Sequence, residues 1–324
     1  MFGLNMSDGP TLVGDVGGTN CRFALAKGNA QTGVELSHVS KFKVAEYSDF
    51  YEALTAYLSD LDSLPKQAAF ALAGPNFNSE IRMTNLNWTV AEDELRSRFG
   101  FDIVTLANDF MAMARGAILM PDEAFKTVIA GKVNYSLPVA VLGPGTGLGV
   151  AGVLPGQPPR ILPTEGGYSA FAPQDDMELE ILKILRREFD FVATEHLLSG
   201  PGLYRLYKTL GLIKQVGTPL ETPSDIVAQA ETARESIAAQ AVTMFCNILG
   251  GFSGNTAHTL GASGGIVIAG GVGRHIAPFI AASDFETRFK SRGKAAWFTQ
   301  NIPVRLLTAH SVALYGVAAL LADG

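Results

Sequence analysis

The first residues whose types and spacing could support chemistry lie near the start of the chain, between two apolar runs. They are small or polar: Asp15-Val16-Gly17-Gly18-Thr19-Asn20. The flanking runs, Thr11–Val16 and Cys21–Ala26, have the pattern of strands and predict a hairpin. The two glycines lack a Cβ, so a phosphate could approach the main chain and meet N–H donors, while the threonine and asparagine add side-chain donors. Asp15 could hold Mg²⁺ through water. The alternative is a plain tight hairpin with a solvated aspartate.

A second segment of the same character follows later in the chain. It contains four glycines in seven residues, more than a hairpin requires: Gly143-Pro144-Gly145-Thr146-Gly147-Leu148-Gly149. Thr146 could hydrogen-bond a terminal phosphate. Neither segment has the lysine of a P-loop, and each runs into a strand, whereas P-loops and dinucleotide-binding motifs open a helix. The sequence therefore predicts two phosphate-binding hairpins outside the two commonest nucleotide-binding folds.

The third candidate is a carboxylate directly after a strand pattern. Ile103–Ala107 is followed by Asn108-Asp109, and ligands of α/β proteins bind at the carboxyl ends of strands. As a general base, Asp109 could accept the proton of a sugar hydroxyl that attacks phosphorus, a contribution of about 10²–10⁴ in rate. The alternative is that Asp109 is the N-cap of a helix through Met111–Ala117. The two roles are compatible.

The elements that must position these residues alternate between strand and helix patterns. Asp49 with Glu52 forms a capping box before a helix, and Asp175–Phe189 has apolar residues near helical spacing. Gly265–Ala269 predicts a late strand that leads into two glycines. Strands followed by helices, twice over, predict an α/β architecture with two lobes. The likeness of the two glycine hairpins is consistent with an internal duplication.

Composition limits the classes of function. The 324 residues are 47% hydrophobic and 17% charged, enough for two globular lobes, and the net charge of -6 argues against nucleic acid as a partner. Two cysteines, Cys21 and Cys246, cannot form a metal cluster and suit a reduced cytosol. No secretory pattern opens the chain, and the apolar stretch Ala238–Gly265 is interrupted by polar residues and glycines. We therefore expect a cytoplasmic protein in which this stretch is a buried helix and no membrane is a partner.

Together, the motifs resemble those of the bacterial glucokinase family, in the superfamily of hexokinases, actin and heat-shock chaperone ATPases. The resemblance runs in order from about Thr11 to about Gly316. It is carried by Asp15–Asn20, Asn108-Asp109-Phe110, Gly143–Gly149, Glu165-Gly166-Gly167, Glu195 with Leu198–Gly202, and Ala269-Gly270-Gly271. It implies phosphorylation of the 6-hydroxyl of glucose by ATP with Mg²⁺. It also implies a two-lobed, actin-like ATPase (ribonuclease H-like) fold with a central cleft that closes on the sugar, and a homodimer.

The resemblance assigns roles to individual residues. The two glycine hairpins are implied to be phosphate loops, Gly270 and Gly271 to lie by the adenosine, and Asp109 to be the catalytic base. The implied sugar ligands are Asn108, Glu165 and Glu195. Carboxylates and amides suit a hexose, because a hydroxyl left unpaired on burial costs roughly 1–3 kcal/mol. The expected domains are a small α/β domain over residues 1–118 with a C-terminal helix at about 310–324, and a large α/β domain over residues 119–309.

One position departs from the family pattern. The Glu-Gly-Gly motif is usually followed by a histidine that contacts the sugar, whereas this chain has Tyr168. A phenol can still donate one hydrogen bond, but it is longer than an imidazole and mostly neutral at pH 7. Tyr168 is therefore expected to contact the sugar and to alter tolerance near its C1–C2 end. The alternative is a harmless substitution.

Other functions remain open at this stage. The same scaffold could carry a kinase of another hexose, such as mannose or an N-acyl hexosamine. A non-catalytic sugar sensor is disfavoured because Asp109 and both glycine hairpins are present, and an actin-like filament would not need hexose-binding carboxylates. Dependence of ATP turnover on added sugar distinguishes a kinase from a filament.

Overall fold

The computed structural model describes residues 9–29, 33–74, 76–84 and 86–323. The chain divides into two compact units. The first unit takes in residues up to Asp122, the segment 161–163 and the residues from Ala309 onward, and the second comprises 123–160 and 164–308. The sequence-based bounds, 1–118 with 310–324 and 119–309, differ from these by a few residues and by the short segment 161–163.

Strands occur throughout the described residues and are numbered in chain order. They are β1 (Thr11–Val16), β2 (Asn20–Asn29), β3 (Gly33–Lys43), β4 (Gln67–Leu72), β5 (Asn76–Phe77), β6 (Glu80–Arg82), β7 (Thr89–Ala91), β8 (Ile103–Asn108), β9 (Phe125–Ile129), β10 (Val139–Pro144), β11 (Leu148–Leu154), β12 (Arg160–Thr164), β13 (Gly265–Ile268) and β14 (Val304–Leu307).

Helices connect the strands and are numbered in the same way. They are α1 (Phe50–Leu58), α2 (Glu92–Phe99), α3 (Asp109–Ala117), α4 (Asp176–Leu185), α5 (Gly200–Lys214), α6 (Pro223–Thr232), α7 (Ile237–Leu260), α8 (Gly271–Ile280), α9 (Phe285–Lys290), α10 (Ala296–Thr299) and α11 (Val312–Asp323). The predicted starts of two of them are confirmed, because Asp49 and Asp175 cap α1 and α4 with their side chains. α4 ends at Leu185, earlier than the periodicity predicted.

The first unit contains a five-stranded sheet in the order β3-β2-β1-β4-β8. β1 is antiparallel to β2 and parallel to β4, which is in turn parallel to β8. In this register Val16 pairs with Leu72, and Leu72 pairs with Asn108. The carboxyl ends of β1 and β8 therefore reach the same edge of the sheet with one strand between them, about 10 Å apart at the usual strand spacing.

The second unit contains a six-stranded sheet in the order β12-β11-β10-β13-β14-β9. β10 is antiparallel to β11 and parallel to β13, β13 is parallel to β14, and β14 is antiparallel to β9. Because Leu142 in β10 pairs with Ile268 in β13, the residues that follow these two strands emerge side by side. They are the second glycine segment and the pair Gly270-Gly271.

The two sheets share a topology. In each, two consecutive strands form the glycine hairpin, and the next strand extends the sheet beside the second hairpin strand. Two later strands then add in parallel on the other side of the first hairpin strand. The order is β3-β2-β1-β4-β8 in the first unit and β12-β11-β10-β13-β14 in the second, to which β9 adds an antiparallel edge. This correspondence supports the internal duplication that the two glycine hairpins suggested.

Small residues allow a close helix pair in the first unit. A Cβ at Gly316 of α11 would lie 1.7 Å from the carbonyl oxygen of Ala112 in α3, and one at Gly116 of α3 would lie 2.1 Å from the carbonyl oxygen of Val312. The buried Arg115 adds an ion pair with Asp323, with Nε 2.7 Å from Oδ2. α11 therefore fixes the position of α3, the helix that begins at Asp109.

Helix α7 forms the centre of the second unit. Its 24 residues are apolar enough to cross a membrane by length and composition, but 72% of its most apolar stretch is buried within the protein. Gly250 lets α7 approach α9, because a Cβ there would lie 2.3 Å from the carbonyl oxygen of Phe285. The predicted buried helix in this region is therefore confirmed.

Candidate active site

The first glycine segment forms the turn between β1 and β2. The N–H of Gly17 donates to the carbonyl oxygen of Asn20 at 3.0 Å, and the carbonyl oxygen of Thr19 accepts from the N–H of Val44 at 3.1 Å. The tip residue Thr19 is exposed, whereas Gly17, Gly18 and Asn20 are half-buried. Main-chain hydrogen bonds therefore fix the shape of the turn, and the predicted hairpin is confirmed.

Asp15 lies on β1 one residue before the end of the strand. It pairs across the hairpin with Arg22 of β2, whose Nη1 is 3.5 Å from the Asp15 carboxylate. Burial raises the pKa of the Asp15 carboxyl, and the Arg22 guanidinium opposes that rise by its charge and its hydrogen bond. A further cation beside this carboxylate would favour its ionised form. Asp15 thus has the chemistry expected of an outer ligand for Mg²⁺, which keeps much of its water.

Cys21 follows the first glycine turn and is fully buried. Burial raises the pKa of its thiol to about 11. Because the thiolate is the reactive form, this cysteine is not a nucleophile at neutral pH.

Asn108 and Asp109 divide the roles that the sequence left open. Asn108 is the N-cap of α3, since its Oδ1 accepts the N–H groups of Phe110 and Met111 at 2.9 and 3.2 Å. Its Nδ2 donates to the carbonyl oxygen of Gly74 at 3.1 Å. The prediction that Asp109 is the cap is therefore wrong: an asparagine directly before it fills that position, and Asp109 is the first helical residue.

Asp109 is half-buried in the first turn of α3. Its Oδ1 accepts the N–H of Phe110 at 2.8 Å, and the positive end of the helix favours its negative charge. It lies at the sheet edge where the Gly17-Gly18 turn also emerges, with β4 between them. A carboxylate held in this way can accept a proton from a hydroxyl close to this turn.

The second glycine segment is a three-residue turn between β10 and β11, with Thr146 exposed at its tip. The N–H of Gly145 donates to the carbonyl oxygen of Gly147, and the carbonyl oxygen of Gly145 accepts the N–H of Gly200, both at 2.8 Å. Gly270 has a positive φ of 83°, and a Cβ there would lie 2.5 Å from the carbonyl oxygen of Pro144. Gly270 and Gly271 are thus packed beside this turn, and α8 begins at Gly271.

Glu195 contacts the second glycine turn directly. It lies in a 3-10 turn, Thr194–His196, and its Oε2 accepts the N–H of Leu148, the residue after the glycine turn, at 2.7 Å. A Cβ at Gly147 would lie 2.5 Å from the same oxygen. The sequence assigned Glu195 only to the sugar. The missed signal was Gly147. The φ of this residue does not require glycine, but the carboxylate of Glu195 leaves no room for a side chain there.

Tyr168 ends a second 3-10 turn, Gly166–Tyr168, and its ring is 52% exposed. The charge of Glu195 is the main reason that the pKa of the phenol is raised, and burial and the charge of Glu165 also raise it. Gly167 brings this turn against β11, because a Cβ there would lie 2.1 Å from the carbonyl oxygen of Leu148. Glu165, just before the turn, is exposed.

Sequence reasoning also missed the residues that support Glu195. The Nδ1 of His196 accepts the N–H of Ala193 at 3.3 Å, and its ring stacks on Phe189 with centroids 4.2 Å apart. The guanidinium of Arg205 lies over the ring of Phe189 and donates to the carbonyl oxygen of His196. A histidine and an arginine nine residues apart give no recognisable pattern, so only the folded chain reveals this arrangement.

Each unit presents one glycine turn together with polar side chains. The first unit carries Asp15, the Gly17-Gly18 turn with Thr19 and Asn20, and Asn108 with Asp109. The second carries the Gly145–Gly147 turn, Gly270 with Gly271, and Glu165, Tyr168 and Glu195. Among the residues that the structure describes, no group of three or more His, Cys, Asp or Glu side chains could hold a metal ion. A metal bound by one carboxylate and by substrate phosphates needs no such group.

Comparisons with known proteins cover almost all of the chain. The glucokinase family model matches residues 12–324. A glucokinase from Caulobacter vibrioides is 39% identical over 322 residues, which are 98% of this chain and 96% of the relative. A bifunctional protein from Burkholderia thailandensis is 38% identical over 98% of this chain. The chain spans about half the length of that relative, 49%.

A solved structure gives the same result for the fold. The crystal structure of a glucokinase from an Antarctic psychrotroph is 31% identical in sequence and matches with a TM-score of 0.86. The match covers 97% of this chain and 99% of the other. Together with the mixed α/β sheets of the two units, this agreement confirms the predicted α/β, actin-like ATPase fold class.

Proposed function

The chain belongs to the glucokinase family, as its motifs predicted, and we propose that it phosphorylates the 6-hydroxyl of glucose with ATP. The observation that carries this proposal is the register of the first sheet, which brings Asp109 and the Gly17-Gly18 turn to one edge with a single strand between them. A proton acceptor and a phosphate-binding turn at this separation suit transfer of a phosphoryl group to a hydroxyl.

The proposed sugar ligands are polar side chains: Asn108, Asp109, Glu165, Tyr168 and Glu195. Asp109 accepts the proton of the 6-hydroxyl as that oxygen attacks the γ-phosphorus, and the bond from this phosphorus to the bridging oxygen breaks to release ADP. Asn108 uses its Oδ1 to cap α3 and one Nδ2 proton to bond Gly74. One N–H of its amide therefore remains for a sugar oxygen.

The proposed nucleotide ligands are the glycine turns. The N–H groups of Gly17 and Gly145 bond within their turns. Other main-chain N–H groups of the two turns receive the β- and γ-phosphates, with the side chains of Thr19, Asn20 and Thr146 as further donors. Gly270 and Gly271 lie by the adenosine, where the absence of a side chain leaves room for the base. Mg²⁺ bound near Asp15 through water would neutralise phosphate charge.

The remaining expectations concern the setting of the enzyme. We propose that it is cytoplasmic and forms a homodimer, and that neither nucleic acid nor a membrane is a partner. The net charge of -6 supports the absence of a polyanionic partner. Because several relatives are about twice as long as this chain, the proposed activity is that of this chain alone.

A coupled assay of ADP release with glucose, mannose, N-acetylglucosamine and galactose tests the activity. We expect ADP release to depend on sugar and to be fastest with glucose. The D109A variant, as a matched control, should retain sugar binding but lose most turnover. Equal ATP turnover with and without every sugar would contradict a hexose kinase and favour a filament or sensor.

A second candidate is a kinase of another hexose on the same scaffold. Tyr168 favours it, since this phenol stands where the family usually has a histidine that contacts the sugar. The same panel decides: a preference for mannose or for an N-acyl hexosamine over glucose would replace the first proposal.

A further inference from the structure

Glu195 touches two parts of the second unit that the proposed function uses for different substrates. Its Oε2 accepts the N–H of Leu148 at 2.7 Å, directly after the Gly145–Gly147 turn, and lies where a Cβ at Gly147 would clash. Glu195 is also a proposed sugar ligand, and its charge raises the pKa of the phenol of Tyr168, a proposed sugar contact. One side chain therefore joins the proposed hexose end to the proposed phosphate turn.

The backbone that carries Glu195 is fixed on both sides. Before it, the buried Thr194 donates through its N–H and its hydroxyl to the carbonyl oxygen of Ser169, at 2.8 and 3.0 Å. After it, the hydroxyl of Ser199 donates to the carbonyl oxygen of Glu195 at 2.8 Å and also caps α5. Because these anchors hold the 3-10 turn, the contact with Leu148 is a built feature rather than one pose of a loose side chain.

The contact bears on the shape of the glycine turn. Its main chain is otherwise tied within the turn, from Gly145 to Gly147, and to Gly200 at the start of α5. Glu195 adds a side-chain anchor on the β11 side. A hydrogen bond from N–H to a carboxylate is stronger than one to a neutral oxygen, and it orients the amide that follows the proposed phosphate donors.

We propose that Glu195 is a positioning residue for the phosphate-binding turn as well as a sugar ligand, so that it couples nucleotide affinity to the hexose end of the site. This inference rests on the proposed function for the identity of the two substrates. A sugar hydroxyl donates to the carboxylate while the bond from Leu148 to Oε2 persists. A ligand for sugar alone would not affect nucleotide binding.

The test measures the affinity for ADP with Mg²⁺ by calorimetry, without sugar. E195A should weaken ADP binding about tenfold, the effect of losing one hydrogen bond to a charged group. E195Q retains an acceptor oxygen and should stay within about threefold of the wild-type protein. E165A is the matched control: it removes a proposed sugar ligand of the same unit, so it should raise the KM for glucose and leave ADP affinity unchanged.

A second readout follows the contact itself. Amide hydrogen exchange at Leu148 should be faster in E195A than in E195Q or in the wild-type protein. If E195A cannot be purified, E195D replaces it, because a side chain one methylene shorter loses the reach to Leu148 and should weaken ADP binding in the same direction.

Two results separate this inference from the function on which it rests. Unchanged ADP affinity in E195A or E195D, together with unchanged exchange at Leu148, would overturn the positioning role even in an active glucokinase. Absence of sugar-dependent turnover in the wild-type protein would instead remove the proposed function, while the ADP measurements would still report whether Glu195 orders the turn.

Discussion

Asp109 has the features of a general base that works from a fixed position. It is the first residue of α3, its Oδ1 accepts the N–H of Phe110 at 2.8 Å, and Asn108 relieves it of the capping role. Capping of α3 therefore does not depend on the Asp109 carboxylate. That Asn108 rather than Asp109 caps the helix could not be predicted from their order alone, since either residue type can cap a helix.

We expect D109N to separate catalysis from binding. Its amide oxygen can still accept the N–H of Phe110, but the amide cannot take up a proton at neutral pH. The kcat should fall by about 10²–10⁴ while the KM for glucose changes by less than about threefold. Steady-state kinetics would measure this, with D102N, at an exposed acid before the same strand, as the control. A kcat for D109N close to that of D102N would exclude Asp109 as the base.

Tyr168 offers a test of sugar preference. The charge of Glu195 acts on its phenol, so a sugar that bonds to the Glu195 carboxylate has the phenol as a neighbour. Y168H introduces the shorter ring that the family usually has at this position. The KM for glucose should fall by about threefold, and the ratio of kcat/KM for glucose to that for mannose should rise, because a group of different reach now contacts the C1–C2 end. If neither quantity changes, the substitution is neutral.

At the scale of elements, the position of α3 depends on a helix that arrives from the other end of the chain. Gly316 and Gly116 allow α11 to pack at backbone distance, and Arg115 binds Asp323. The sequence predicted a helix in each of these two regions. It could not predict their pairing, because nothing in either pattern specifies a partner about 200 residues away.

G316A should displace α3 and with it Asp109. The added Cβ would lie 1.7 Å from the carbonyl oxygen of Ala112, so the helices must separate, at a cost of about 1–3 kcal/mol. We expect a lower Tm and a lower kcat. G217A is the matched control, because a Cβ at Gly217 meets no atom within 4 Å. Equal Tm and kcat in the two variants would show that α3 tolerates the change.

The turn that carries Glu195 should make stability depend on pH. Burial, and secondarily the charge of Arg205, lower the pKa of His196 below its ordinary value, against the opposing charges of Glu195 and Glu188. In the unfolded chain this histidine takes up a proton from about pH 6.5 downward, whereas in the folded chain it takes up the proton only at a lower pH. This contribution to stability is therefore present above pH 6.5 and is lost as the pH falls toward the lowered pKa.

H196N keeps an acceptor for the N–H of Ala193 but does not titrate. Urea midpoints at pH 7, 6 and 5 should fall more steeply for the wild-type protein than for H196N. H38N is the control, because His38 is exposed and has a positive φ that asparagine also tolerates; its pH dependence should match the wild-type protein. Parallel curves for all three proteins would rule out a role for His196.

At the scale of the whole molecule, a repeated topology explains why there are two glycine-rich turns. Each sheet contains a hairpin whose turn is glycine-rich, and two parallel strands extend it so that their carboxyl ends reach the same edge as the turn. Glycine spacing was enough to predict both turns. Contacts such as Glu195 with Leu148 were not predictable, because they join segments that are 47 residues apart through a turn whose geometry depends on its neighbours.

Glucose should stabilise the folded protein, since a ligand that binds only the native state raises the free energy of unfolding by about 2.7 kcal/mol at one hundred times its Kd. For a chain of this length that corresponds to a rise in Tm of several degrees, roughly 2–4 °C per kcal/mol. E165A removes a proposed sugar ligand and should abolish most of the shift, whereas D109A, which should retain sugar binding, should keep most of it. Differential scanning fluorimetry would measure this, with sorbitol at the same concentration as the control for non-specific stabilisation. A shift of equal size with sorbitol, or one that E165A leaves intact, would mean that Glu165 does not bind the sugar.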